Sequence, residues 1–197
     1  SPGRVPATEA SVGLNPFSVQ GPMGRNVSDT YLLLQAQVNL NRKDPFSSLD
    51  SLSMPDELLG ADLSGIKMAF SSDLGCAPVD NDIKSTFFKK IETFKNNFLK
   101  ADQGEPDFLD IHSCFEVIRG FNYVASHKDK LDNYRDLLGP NVIDNVERGL
   151  KYSLADVSSA HVMQTKIYKN FRNFFNEYDV LICPAASVSP YPHEQLF

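Results

Sequence analysis

Apolar residues fall at helical spacing in some stretches of the chain, in short unbroken runs in others, and without period in the rest. Residues 1–26 carry four prolines and four glycines with no sustained rhythm and end in GPMG, so they predict an extended loop closing in a turn. Asn26 then stands where a helix N-cap is expected, with Asp29 three residues on, and Val27, Tyr31, Leu34 and Val38 fall on one helical face. Residues 41–65, rich in Ser, Asp and Pro, predict a surface connection. The apolar run IKMAF at residues 66–70 lies between Gly65 and the loop chemistry of SSDLG, which predicts a strand entering a loop. Asp80 is placed to cap the next helix, where Ile83, Phe87, Ile91, Phe94 and Phe98 recur every three or four residues. Lys84, Lys89, Lys90 and Lys95 occupy its remaining faces and read as a solvated surface.

Residues 106–178 are helical in pattern almost throughout, with breaks expected near residues 127–129, at Gly139 and Pro140, and near Ser153. SLAD at residues 153–156 has the form of a capping box, and it opens a long helix with Val157, Ala160, His161, Thr165 and Tyr168 near one stripe. VLIC at residues 180–183 predicts a second buried strand, stopped by Pro184, and a Pro-rich loop follows. No internal repeat is present. Two strands set against this much helix predict an α/β chain that is mostly helical.

Composition narrows the function more than the fold. At 197 residues and 22.0 kDa, with 42% hydrophobic and 22% charged residues, the chain has globular values and enough length for one well-buried domain or a large piece of one. A net charge of −6, without a basic patch interleaved with aromatics, argues against nucleic acid as a partner. Cys76, Cys114 and Cys183 are odd in number and far apart, which fits a reducing cytoplasm rather than a disulfide framework. No apolar run is long enough for a membrane span, and residues 1–10 lack the core of a signal peptide. The chain opens without methionine on Pro- and Gly-rich loop chemistry, so an upstream part is expected.

Candidate chemistry is sparse. Neither GxGxxG nor GxxxxGK followed by Ser or Thr occurs, so no nucleotide loop is expected. His112 and Cys114 stand two residues apart without a second ligand pair, so no metal site is expected. His127, His161 and His193 are isolated. The serine clusters SSLDSLS at residues 47–53 and VSSAH at residues 157–161 lack the Gly-rich backbone that would aim donors at an oxyanion, and read as linker and helix surface. From the residues alone, no active site is complete within the chain.

Taken in order, six segments resemble those of the amidase signature enzymes. SPGRVP at residues 1–6 is similar to the loop after their catalytic strand and helix, and GPMGRNVSD at residues 21–29 to their GPM-x-R-x-V-x-D segment. MAFSSDLGCAPVD at residues 68–80 resembles their strand, loop and helix cap. FEVIRG (115–120), VERGLKYSLADV (146–157) and YDVLICPAASVSPYP (178–192) resemble later helices and a central strand with its exit loop. The resemblance implies part of a large mixed sheet covered by helices, a single partial domain spanning residues 1–197. It also implies a parent that hydrolyses a small-molecule carboxylic amide through a serine acyl-enzyme, with no cofactor. The family's two serines and lysine would precede residue 1, leaving no catalytic residue in this chain, and further strands would follow residue 197. This portion would supply scaffold and pocket walls, the latter including Phe121, Asn145, Met163 and Ser187.

Gly21, Pro22, Met23, Arg25 and Asp29 would form a structural motif near the active site, with Val27, Tyr31 and Leu34 packing the helix that follows. Within the family the resemblance favours a general amidase over the glutamine-hydrolysing subunit of the tRNA-dependent amidotransferase. Those subunits carry an arginine for the glutamine carboxylate on the helix matching residues 143–149, where the positions closest to it here are Asp144 and Asn145. A different class of function, a catalytically dead scaffold or interaction fragment, is the alternative. It would self-associate or pair with the rest of its parent through unpaired strand edges and apolar helix faces.

Overall fold

The structure is a computed structural model that describes residues 2–7, 11–16, 19–49, 54–55 and 58–195. Among these the order is α1 (Val27–Gln37), β1 (Lys67–Phe70), α2 (Asn81–Phe94), β2 (Lys100–Gln103), α3 (Ile111–Tyr134), α4 (Pro140–Gly149), α5 (Leu154–Phe174) and β3 (Val180–Ile182). The chain is therefore α/β and mostly helical. It divides into two compact units, one of Ser1–Gly60 with Arg119–Lys151 and the other of Ala61–Ile118 with Tyr152–Phe197. Helix α3 contributes to both.

The second unit is built on a three-stranded parallel sheet in the order β2-β1-β3, with Met68 opposite Val180 and Ala101. β1 is central and buried from Met68 to Phe70, which is why its sequence is continuously apolar rather than alternating. Met68 and Phe70 pack with Ile91 of α2, and Phe87, Phe88, Phe94 and Phe98 close that cluster. The stripe expected on α2 is the packing face, although Phe98 lies past the helix end. A second cluster joins the first half of α3 to α5 through Cys114, Ile118, Ala160 and Ile167, with Met163 and Phe171 against it.

Several expectations need correction here. β2 has the sequence KADQ, with no apolar pattern to announce it. It is an edge strand held by its ladder to β1, by Lys100 ion pairs to Asp102 and Glu177, and by the Tyr178 hydroxyl donating to Asp102. The stripe of α5 is rotated from the one expected: His161, Thr165 and Tyr168 are exposed, and Ala160, Met163, Ile167 and Phe171 face the core. The capping box itself forms, Ser153 Oγ accepting from the Asp156 amide and the Asp156 carboxylate accepting from the Ser153 amide. β3 ends at Ile182, and Cys183 is exposed.

In the first unit, Asn26 caps α1 by accepting from the Asp29 amide at 2.8 Å. No residue of α1 is fully buried: Tyr31 and Leu34 are half-buried and Val27 is 74% exposed, so the expected face is partly covered at Tyr31 and Leu34 and open at Val27. The turn expected at GPMG is displaced. The chain bends at Arg25 and Asn26, where a Cβ on Gly24 would lie 2.6 Å from the Thr30 amide nitrogen, so the close approach is at Gly24 rather than Gly21. The break expected near residues 127–129 does not occur. That stretch holds no Gly or Pro, and Lys128 pairs with Asp132 one turn on, so α3 runs through it. α4 begins where Gly139 and Pro140 predict, with Pro140 in the first turn and Val146 fully buried.

Candidate functional site

In the second unit the strand order reverses at β1: the chain crosses from β1 to β2 on one side and later returns to β3 on the other. In open parallel sheets this reversal leaves a crevice beyond the carboxyl ends of the two strands whose connections diverge, here β1 and β3. The Ser71 amide donates to the Ile182 carbonyl at 3.0 Å, so the two strands are still paired where the crevice begins.

The loop leaving β1 is tightly specified. Ser71 and Ser72 are buried, and Ser71 Oγ accepts from the Leu74 amide at 2.9 Å. Leu74 and Gly75 both adopt left-handed backbone, with φ of 56° and 65°. For leucine this conformation costs about 1 kcal/mol, so the surrounding bonds must hold it. Asp73 supplies most of them. Its carbonyl accepts from the Cys76 and Ala77 amides at 3.2 and 2.8 Å, its Oδ1 from the Gly75 amide at 3.1 Å, and its Oδ2 from Lys84 Nζ at 2.5 Å. The Lys84 ammonium first, and the Gly75 amide next, hold the Asp73 carboxyl below the usual carboxylate range. Burial, with Asp73 and Glu105 nearby, pushes the Cys76 thiol up, away from the reactive thiolate. Lys84 is therefore not simple solvated surface, since it is half-buried and committed to a partner eleven residues back.

Across the crevice the Asp80 amide donates to the Ser187 carbonyl at 2.9 Å, which joins the start of α2 to the loop leaving β3. The His112 Nε2–H donates to the Cys76 carbonyl at 2.8 Å, and Cys114 Sγ donates to the Ala160 carbonyl at 3.3 Å. The His112 and Cys114 pair thus has structural partners on two different elements, and among the described residues no group of three His, Cys, Asp or Glu is placed to hold a metal. Chemically the crevice offers a serine, Ser71, engaged by backbone and a lysine, Lys84, engaged by a carboxylate. That is architecture rather than a nucleophile beside its base.

In the first unit a cleft of about 660 Å³ lies between the N-terminal loop, Asp44 and Phe46, and the Asn122, Ser126 and His127 positions of α3. Asn15 donates to Asn122 at 2.8 Å, and the buried Asp44 carboxylate accepts from the Ala7 and Phe46 amides at 2.8 Å each. Of the GPMGR residues, Met23 is 91% exposed and Arg25 pairs with Asp29 at 3.1 Å, while Gly21 has open space around it and Pro22 is half-buried.

Of the expected wall residues, Phe121 and Asn145 belong to this unit and Met163 and Ser187 to the other. Phe121 is exposed, Asn145 donates to the Asn141 carbonyl of its own helix, Met163 lies against the α3–α5 core, and Ser187 borders the crevice. Sequence reasoning missed the Asp73–Lys84 pair. Its signal was the acidic residue of SSDLG followed by a lysine in the first turn of the next helix, a position where the helix dipole disfavours a cation.

Among the described residues, no helix is long and apolar enough to cross a membrane. The Amidase family model matches residues 1–197. An acylamidase of Rhodococcus erythropolis is 23% identical over 198 residues, covering 98% of this chain and 41% of that protein. A glutamyl-tRNA(Gln) amidotransferase subunit of Staphylococcus epidermidis is also 23% identical, covering 87% of this chain and 40% of that protein. Among solved structures, a bacterial aryl acylamidase of the amidase signature family superposes with a TM-score of 0.75 at 18% identity, over 96% of this chain and 41% of that one. This chain thus spans about two fifths of the length of the curated relatives it matches. With the family pattern running from its first residue to its last on a fold shared with a solved member, the chain belongs to the Amidase family.

Proposed function

We propose that the chain is part of an amidase that hydrolyses carboxylic amide C–N bonds through a serine acyl-enzyme. It contributes scaffold and substrate-pocket walls, while the serines and the lysine come from parts of the protein outside these residues. The observation that carries this reading is the family match over the whole chain, joined to a described structure in which Ser71 and Lys84 are committed to structural bonds. On this reading the substrate is a small-molecule amide and no cofactor is required. Phe121, Asn145, Met163 and Ser187 lie on pocket walls, and Gly21, Pro22, Met23, Arg25 and Asp29 support the catalytic layer. The three free thiols, Cys76, Cys114 and Cys183, fit a cytoplasmic setting.

An acyl anilide is the substrate to try first, because two of the similar proteins bear the names acylamidase and aryl acylamidase. The second reading, glutamine hydrolysis within an amidotransferase, draws on the amidotransferase relatives. Against it, α4 carries an Asp144–Arg148 ion pair, so the arginine of this helix is already matched by a carboxylate. The test is a side-by-side assay of the protein containing this chain on an acyl anilide and on glutamine. Release of the aryl amine with no release of ammonia from glutamine supports the first reading, and the reverse pattern overturns it.

A further inference from the structure

Three ties close a ring around the β1–β3 crevice. The Ser71 amide binds the Ile182 carbonyl, joining β1 to β3; the Asp80 amide binds the Ser187 carbonyl, joining the β3 exit loop to the start of α2; and Lys84 Nζ binds Asp73 Oδ2, joining α2 back to the β1 loop. Two of these ties are backbone to backbone and insensitive to side-chain identity. The third is made only by side chains. It sits where its presence is costly on local grounds, because a cation in the first turn of a helix opposes the dipole, and Leu74 beside Asp73 is held in left-handed backbone. A position that violates two local preferences and recovers them through one shared bond is arranged for the geometry it fixes.

We propose that Asp73 and Lys84 are positioning residues: their ion pair locks the left-handed loop after β1 against α2 and so sets the width of the crevice that Ser187 borders. Resting on the amidase reading, this makes the pair a determinant of how tightly the amide substrate is held, not of the bond-breaking step. The Gly75 amide is tied to the Asp73 carboxylate and the Cys76 and Ala77 amides to the Asp73 carbonyl, so each of these bonds depends on how firmly Asp73 is held.

The test uses the intact protein that contains this chain, with Lys84→Met, Lys84→Arg and Asp73→Asn variants. Asp73→Asn keeps an acceptor for the Gly75 amide while removing the charge. Amide exchange is followed at residues 73–77 together with kcat and KM for an amide substrate. The expected result is exchange at residues 73–77 faster by about tenfold or more in Lys84→Met and Asp73→Asn. KM should rise severalfold, kcat should stay within about twofold, and Lys84→Arg should restore both. Unchanged exchange overturns the proposal, as does faster exchange with unchanged KM. If the protein turns over no amide, the function reading fails on its own and the exchange arm still decides whether the pair locks the loop.

Discussion

Replacing Gly149 with alanine sets two well-known effects against each other, and the structure decides the sign. Gly149 is the last residue of α4 and its backbone is not left-handed, so alanine can adopt it; on helix propensity alone the change gains up to about 1 kcal/mol. The added Cβ, however, would lie 2.4 Å from the Gly120 carbonyl oxygen and 2.8 Å from both the Gly120 carbonyl carbon and Val124 Cγ2. Two of those three atoms are backbone of α3, so the overlap cannot be relieved by a rotamer change and the α3–α4 crossing must open. Overlap with backbone puts the overpacking cost in the upper part of its range, about 2–3 kcal/mol, leaving a net loss of about 1–2 kcal/mol after the propensity gain. Urea unfolding followed by circular dichroism reads this directly: with a slope of about 2 kcal/mol per molar, the midpoint should fall by about 0.5–1 M. A raised midpoint would mean that propensity wins and that the close crossing at Gly120 does not exist.

Ile91→Ala should destabilise by about 2–5 kcal/mol, measured by the same titration, because Ile91 is the fully buried residue between β1 and the phenylalanines of α2. Ser153→Ala should cost about 1 kcal/mol by removing the N-cap of α5. The Asp156 carboxyl is held below its usual value by the Ser153 hydroxyl and then the Ser153 amide, so its contribution is present above about pH 4 and is lost as pH falls through the lower folded value. Stability measured between pH 2 and 6 should therefore drop less steeply on acidification in Asp156→Asn than in the unmodified protein. Gly3→Ala should destabilise the first unit, since Gly3 has φ of 78° and a Cβ there would meet the Phe46 carbonyl oxygen at 2.0 Å, which a lower thermal midpoint would register.

The elements legible in the sequence are those whose signal is local. Asn26 and the Ser153–Asp156 box announce helix starts because a side chain bonds an amide three residues away, and β1 announces itself because a strand buried on both faces must be apolar throughout. β2 is illegible because KADQ is stabilised by its neighbour's ladder and by bonds among Lys100, Asp102, Glu177 and Tyr178 that span up to 77 positions. The α5 stripe was misread because His161, Thr165 and Tyr168 share a helical period with the true packing face, and only the partner helix α3 reveals which side it meets. α1 reads as an amphipathic helix with a face to bury, and among the described residues that face is only partly covered: Tyr31, Leu34 and Val38 are half-buried while Val27 is 74% exposed. The mostly helical α/β architecture follows from the apolar periodicity and the family from motifs in order. The crevice does not, because strand order is a property of three-dimensional pairing that no single segment encodes.

On the function proposed above, this chain supplies walls and support while the nucleophile lies elsewhere in the protein. The most direct measurement is to treat the active protein that contains it with an irreversible serine-directed phosphonate, digest it, and locate the adduct by mass spectrometry. Complete loss of amide hydrolysis is expected, with the adduct on a serine outside these 197 residues. Loss of activity with the adduct on a serine of this chain, Ser71 or Ser72 above all, would contradict it.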